Sequence, residues 1–193
     1  MAMLVLGLLL FLGVHSTRIV ADGWRARMLG RMGEKGWKGL YSVVSLVGFV
    51  LIVWGYGQAR QSPVVLWTPP RGMNHLAALL MVISFVLLAA AYVPRNAFKA
   101  KLHHPMVLSV KVWAFAHLIA NNTLADVVLF GAFLAWAIAD FASSRRRDRA
   151  NHVTYAPGTT RGTVIAAVIG LVAWAAFVFG AHRWLIGVSP LGF

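Results

Sequence analysis

Six apolar runs, parted by short polar or basic stretches, organise the chain: 1–20, 40–56, 74–92, 105–120, 124–141 and 163–180. About 20 such residues carry an α-helix across a hydrocarbon core roughly 30 Å thick. The pattern predicts an all-α polytopic membrane bundle of about six transmembrane helices in a single integral domain. The first run is broken only by His15, Ser16, Thr17 and Arg18. A cleaved signal peptide is the competing reading of it. No basic residue precedes Leu4 and no small-residue cleavage site stands near Asp22, so a retained helix is expected. Ser42, Ser45, Gly48 and Gly55 give the second run small residues suited to close helix contact. Pro105 suits the first helical position, where its missing N–H goes unmissed, and the fourth helix should run to about Ala120.

The connections carry the opposite information. Segment 22–38 holds Arg25, Arg27, Arg31, Lys35 and Lys38, and its Gly30, Gly33 and Gly36 are expected to break any helix. Three prolines make 58–72 an interfacial loop, with Trp54 and Trp67 as aromatic-belt residues. Asn121-Asn122-Thr123 reads as a tight turn, and Ser143 to Arg149 as a basic loop continuing through His152 and Pro157. Of the 18 Lys and Arg, 14 fall in the first, third and fifth connections, with Arg18 and Arg161 counted there. The asymmetry predicts those connections in the cytoplasm and both termini on the outer side, which is the periplasm if the membrane is a Gram-negative inner membrane.

Composition narrows the class. The chain is 60% hydrophobic with a mean hydropathy of +0.73, far too apolar for an ordinary soluble domain. Its net charge of +13 lies in the connections, leaving no basic, aromatic-interleaved surface for nucleic acid. The partner this implies is the lipid bilayer. Cysteine is absent, which removes thiolate ligands and nucleophiles.

Chemistry concentrates in and around the fourth run: His103-His104-Pro105, Lys111, Trp113, His117 and Asn121. Trp113, His117 and Asn121 share a helix face, and His103, if helical, would return near His117. His75, His152 and His182 fall at run ends or in connections, where an imidazole meets water. His15 and His117 instead lie inside apolar runs, where a polar side chain is costly and faces a partner. An interhelical hydrogen bond is the plain reading for either alone. Together, on separate helices and without cysteine or a carboxylate cluster, they suit bis-histidine ligation of haem b. Phe11, Trp113 and Phe115 could wall the macrocycle, and Arg18 and Lys111 could meet its propionates or another anion. A count at about 1.5 Å per residue puts His117 well above His15, and His104 closer to the level of His15. His104 therefore stays open as an alternative or supporting ligand, or as a helix cap. Zinc would need three or four donors, and no acidic residue is near His103 and His104 in sequence.

The ordered set His15-Ser16, Gly36-Trp37, Gly39-Leu40-Tyr41-Ser42, Ser45-Leu46, Leu66-Trp67, His104-Pro105-Met106, Trp113 to Leu118 and Asn121 resembles the NnrU family over about residues 1–145. The helix at about 163–181 is then an addition. The resemblance implies an inner-membrane protein associated with denitrification, alongside nitrite and nitric oxide reduction. NnrU proteins are similar in turn to the plastid 15-cis-ζ-carotene isomerase, a membrane haem b enzyme. Its ligand histidines align with His15 and His117. The proposed switching cysteine falls at Ala114, which argues against that ligand switch here. His103 and Asn122 also depart from the family's usual Arg and Gly.

Three classes of function follow: a haem b protein supporting nitrogen-oxide respiration; a haem-dependent isomerase or oxidoreductase acting on a lipid-soluble polyene or quinone; and a cofactor-free assembly factor for nitrite or nitric oxide reductase components. A membrane methyltransferase, suggested by the His-Pro pair, would need further polar motifs where 163–180 is apolar.

Overall fold

The computed structural model describes residues 1–191, and among them regular structure is helical. The helices are α1 (Ala2–His15), α2 (Thr17–Val20), α3 (Asp22–Ala59), α4 (Met73–Tyr92), α5 (Ala97–Leu102), α6 (Pro105–Ala120), α7 (Leu124–Ala150), α8 (Thr160–Ala176) and α9 (His182–Ile186). A π-helical turn, Phe177–Ala181, joins the last two. Four helices are long and apolar enough to cross a membrane: α3, α4, α7 and the continuous Thr160–Ile186. The other two apolar runs form shorter helices, α1 with 14 residues and α6 with 16, so six full spans are not what length alone supports.

Several connections differ from expectation. Of the three glycines in 22–38, only Gly33 breaks the helix, at φ 71° and ψ 170°, and the residues before it are helical. The basic stretch 143–149 is no loop but the end of α7. It holds no Gly or Pro, and cations are favourable in the last turn of a helix, where the carbonyl ends are unpaired. Residues 121–123 are extended rather than a tight turn: Val65 bridges Thr123, Leu66 N–H donates to Asn122 O at 2.9 Å and Leu124 N–H to Val64 O at 2.9 Å. His103 is not helical either, at φ 59°, so it does not return to the His117 face.

Contacts order the helices in a row, α3, α1, α7, α6, α4, α8. The α1–α3 crossing is a close approach of two backbones. A Cβ on Gly48 would stand 2.7 Å from Phe11 N, and one on Gly55 would overlap the backbone of Leu4. Only glycine lets the two backbones meet there. Leu4, Leu8, Ile52, Ala125, Leu129 and Phe130 form the buried core between α1, α3 and α7. Large apolar side chains such as Val43, Val50, Val53, Leu79 and Val172 remain exposed, which suits contact with lipid.

The basic connections meet at one end of the row. Arg147 Nη1 donates to Arg18 O at 3.3 Å, and Thr159 N–H to Arg95 O at 2.7 Å. The opposite end holds 60–72, 121–123 and α9, where Arg60 Nη1 donates to Ile186 O at 2.8 Å.

Candidate functional site

His15 ends α1 and His117 lies in the last turn of α6, and both are held in the same way. Nδ1 of His15 is 2.6 Å from Phe11 O, and Nδ1 of His117 is 2.8 Å from Trp113 O. A carbonyl only accepts, so each Nδ1 carries a proton and donates it four residues back. In the neutral ring this leaves the lone pair on Nε2, the tautomer that a metal-binding imidazole uses. Asn121 caps α6 and donates from Nδ2 to His117 O at 2.8 Å, fixing the same turn.

Aromatic rings surround both imidazoles. His15 stacks on Phe11, with centroids 4.2 Å apart and planes at 26°, and meets Tyr41 at 5.1 Å and Trp136 edge-on at 6.1 Å. His117 stacks on Phe130 at 4.6 Å and lies 5.3 Å from Trp113. The ring contacts lead from one histidine to the other through Phe11, Phe133 and Trp113: Phe133 lies 5.8 Å from Phe11 and 5.3 Å from Trp113. His15 is level with Trp136 and His117 with Phe130, six residues or about 9 Å apart along α7. Two axial nitrogens on one iron stand about 4 Å apart, twice a metal–imidazole bond of about 2 Å. The donor chemistry and apolar walls fit an iron porphyrin, whereas the interval between the donors is filled by Phe133.

The remaining expected site residues are dispersed. Lys111 Nζ lies 5.2 Å over the Phe141 ring, towards the basic end. Arg18 is exposed, and its carbonyl accepts from Arg147. His104 is the N-cap residue of α6, far along from His117, and faces Asp148, its Nε2 2.7 Å from Oδ2. That contact ties the His104 ring to α7, while His104 makes no side-chain bond to the first turn of α6.

Two acidic positions were not foreseen. Asp126, 4% exposed, accepts from Tyr56 Oη at 2.5 Å through Oδ1, and from Thr123 N and Oγ1 at 3.0 and 2.6 Å through Oδ2. The signal was present, since Thr123-x-x-Asp126 before an apolar run is a capping box. Asp148 had no such signal, standing 44 residues from His104 in the chain. It supplies the acidic neighbour that His103 and His104 lack in sequence. Even so, among the described residues no three His, Asp or Glu side chains form a metal-holding group.

Asp148 closes a clasp over a bent corner. His103 and His104 have φ of 59° and 27°, a left-handed region costing side-chain-bearing residues about 1–3 kcal/mol each. His104 and Tyr155 Oη both donate to Asp148 Oδ2, the latter at 2.9 Å, while the His103 and Tyr155 rings lie 4.0 Å apart. Tyr155 belongs to the connection between α7 and α8. Burial, then the hydrogen bond to Asp148, pushes its hydroxyl up to about 12. A raised phenol pKa means that the clasp stabilises the fold fully below the ordinary value of 10.0 and loses that contribution as pH rises towards 12. Tyrosinate absorbance should show one residue ionising near 12, absent from Tyr155→Phe. If the step lost in Tyr155→Phe lies near the ordinary value of 10.0 instead, the phenol is not so held.

The model of the family described as NnrU protein covers residues 3–190, and so takes in α8 and α9 beyond residue 145. No curated protein and no solved structure matches the chain.

Proposed function

The chain belongs to the NnrU family, and from that premise we propose that it is an inner-membrane haem b protein supporting nitrogen-oxide respiration, with His15 and His117 as axial ligands. One observation carries this reading: both interior imidazoles are anchored through Nδ1 to a carbonyl four residues back, leaving Nε2 as the donor. Haem b, when bound, supplies a reversible one-electron centre. The chain's own residues do the rest. Phe11, Trp113 and Phe130 hold the rings and keep water away, Asn121 fixes the turn that presents His117, and haem binding would require the Phe133 ring to leave its place between Phe11 and Trp113. The basic connections lie in the cytoplasm and the termini in the periplasm, following the charge asymmetry. Ala114, fully buried, offers no thiol, so the isomerase's ligand switch is not carried over.

The double variant His15→Ala, His117→Ala should purify with less than about a tenth of the wild-type haem, since neither axial donor remains. Phe133→Ala should take up haem at least as fully as wild type. Unchanged haem in the double variant would contradict the assignment.

A second reading rests on the filled interval. Phe133 packs against both Phe11 and Trp113 and so joins the two aromatic stacks into one, an arrangement that also suits a packing core in an assembly factor for nitrite or nitric oxide reductase components. Protein that stays colourless under haem-replete expression, yet co-purifies with reductase subunits, would support that reading instead.

A further inference from the structure

One face of α7 turns polar where the helix nears the basic end. Asp140, Ser143, Ser144 and Arg147 recur at the spacing of a single helix face, and the two serines are buried, although α7 is apolar enough to cross a membrane. The stripe faces α1 and α2. At its deep end Trp136 meets His15 edge-on, with centroids 6.1 Å apart. At the basic end the Arg147 guanidinium donates to Ser143 Oγ and Ser144 Oγ, both at 2.7 Å, and to Arg18 O at 3.3 Å. Eleven residues, or about 16 Å, separate Trp136 from Arg147.

Asp140 stands between them and is the exception among the five acidic residues. Asp22 and Glu34 pair with Arg25 and Lys38, Asp126 accepts from Tyr56 and Thr123, and Asp148 accepts from His104 and Tyr155. Half-buried Asp140 has no hydrogen bond or ion pair among the described residues. Its neighbours act on it only from farther off: Arg147 on its own helix, His104 at the start of α6, Arg18 and His15 from α2 and α1, and Tyr41 from α3. A carboxylate without a protein donor is costly in an apolar span, and such residues face water-filled space. A second observation lies one turn deeper. The Trp136 indole N–H and the Ser45 hydroxyl are buried without a partner. Tyr41, Ser45 and Gly48 share a face of α3; the Tyr41 ring lies 5.1 Å from His15 and Gly48 abuts Phe11, which puts Ser45 level with His15. Water is the partner that relieves such buried donors.

We propose that this stripe walls a hydrated inlet, which brings water, and protons with it, from the basic end of the bundle past Asp140 to the level of His15. Only the use made of that destination rests on the reading of His15 as a site residue. The inlet itself does not depend on haem.

Because the chain has no cysteine, single thiols can report water along the stripe. Ser45→Cys, a near-isosteric change that keeps the fold, and Asp140→Cys are compared with Ile138→Cys, which is 50% exposed on the outward face of α7. Full-length protein in membrane vesicles of known orientation is treated with a membrane-impermeant sulfonated methanethiosulfonate, which reacts with the thiolate and so needs water. Added on the side of the basic end, the reagent should label Ser45→Cys and Asp140→Cys at least about tenfold faster than Ile138→Cys. Added on the opposite side, it should label neither faster than that control. Ser45→Cys as slow as Ile138→Cys would mean dry packing beside His15 and would overturn the proposal, whether or not Asp140→Cys is labelled. Faster labelling from the opposite side would overturn it too. Protein that purifies without haem gives the same rates, so failure of the ligand assignment leaves this result standing.

Discussion

Gly55→Val is expected to prevent α1 from seating on α3, and little folded protein should survive detergent extraction. The first atom of the new side chain would stand 2.7 Å from Met3 C and 2.8 Å from Leu4 Cα, and would overlap Leu4 N. These are backbone atoms of a helix, which cannot turn aside as a side chain can. Ordinary overpacking costs about 1–3 kcal/mol, and a clash with a rigid backbone exceeds that unless the whole crossing opens. Opening it would expose Leu4, Leu8 and Ile52 from the core. Gly57→Ala is the control two residues further on, where a Cβ meets nothing within 4 Å. That change should be neutral or stabilising by up to about 1 kcal/mol, through helix propensity. Equal melting temperatures for the two variants would show that the α1–α3 approach is looser than described.

Asp126→Ala should destabilise the protein by roughly 3–5 kcal/mol, and Asp126→Asn by clearly less. The alanine leaves the hydroxyls of Tyr56 and Thr123 and the Thr123 N–H without their acceptor. Each buried donor stranded in this way costs about 1–3 kcal/mol, less where it finds water. The loss also removes half of the capping box at the start of α7 and the tie from that helix to α3. Asparagine keeps one oxygen for one of the donors. Thermal unfolding in a single detergent, with Tyr56→Phe completing a double-mutant cycle, measures the coupling directly. A change below about 0.5 kcal/mol for the alanine would mean that the network contributes little.

The apolar runs carried most of the fold. For 105–120 the expected and observed helices coincide, because Pro105 marks one end and the polar Asn121 the other. Hydropathy fails where a helix outlasts its apolar stretch. The run ending at Phe141 says nothing of the turns that follow, and Ser143 to Ala150 stays helical because it holds no breaking residue. The glycine-rich 22–38 misled in the opposite sense, since glycine permits a break without imposing one and only Gly33 takes a non-helical conformation.

Within the candidate site, His15 and His117 were legible as polar side chains in apolar runs. Their surroundings were not, because neighbours across helices depend on the order of packing. That α7 slots Phe133 between Phe11 and Trp113, and brings Asp148 to His104, is a property of the assembled row.

The most direct measurement is a reduced-minus-oxidised visible spectrum, with pyridine haemochrome quantitation, of detergent-purified protein expressed with added haem precursor. Ligation by His15 and His117 predicts a low-spin b-type spectrum at about one haem per chain. Folded protein with no haem would contradict it and leave the two imidazoles as parts of an aromatic packing core.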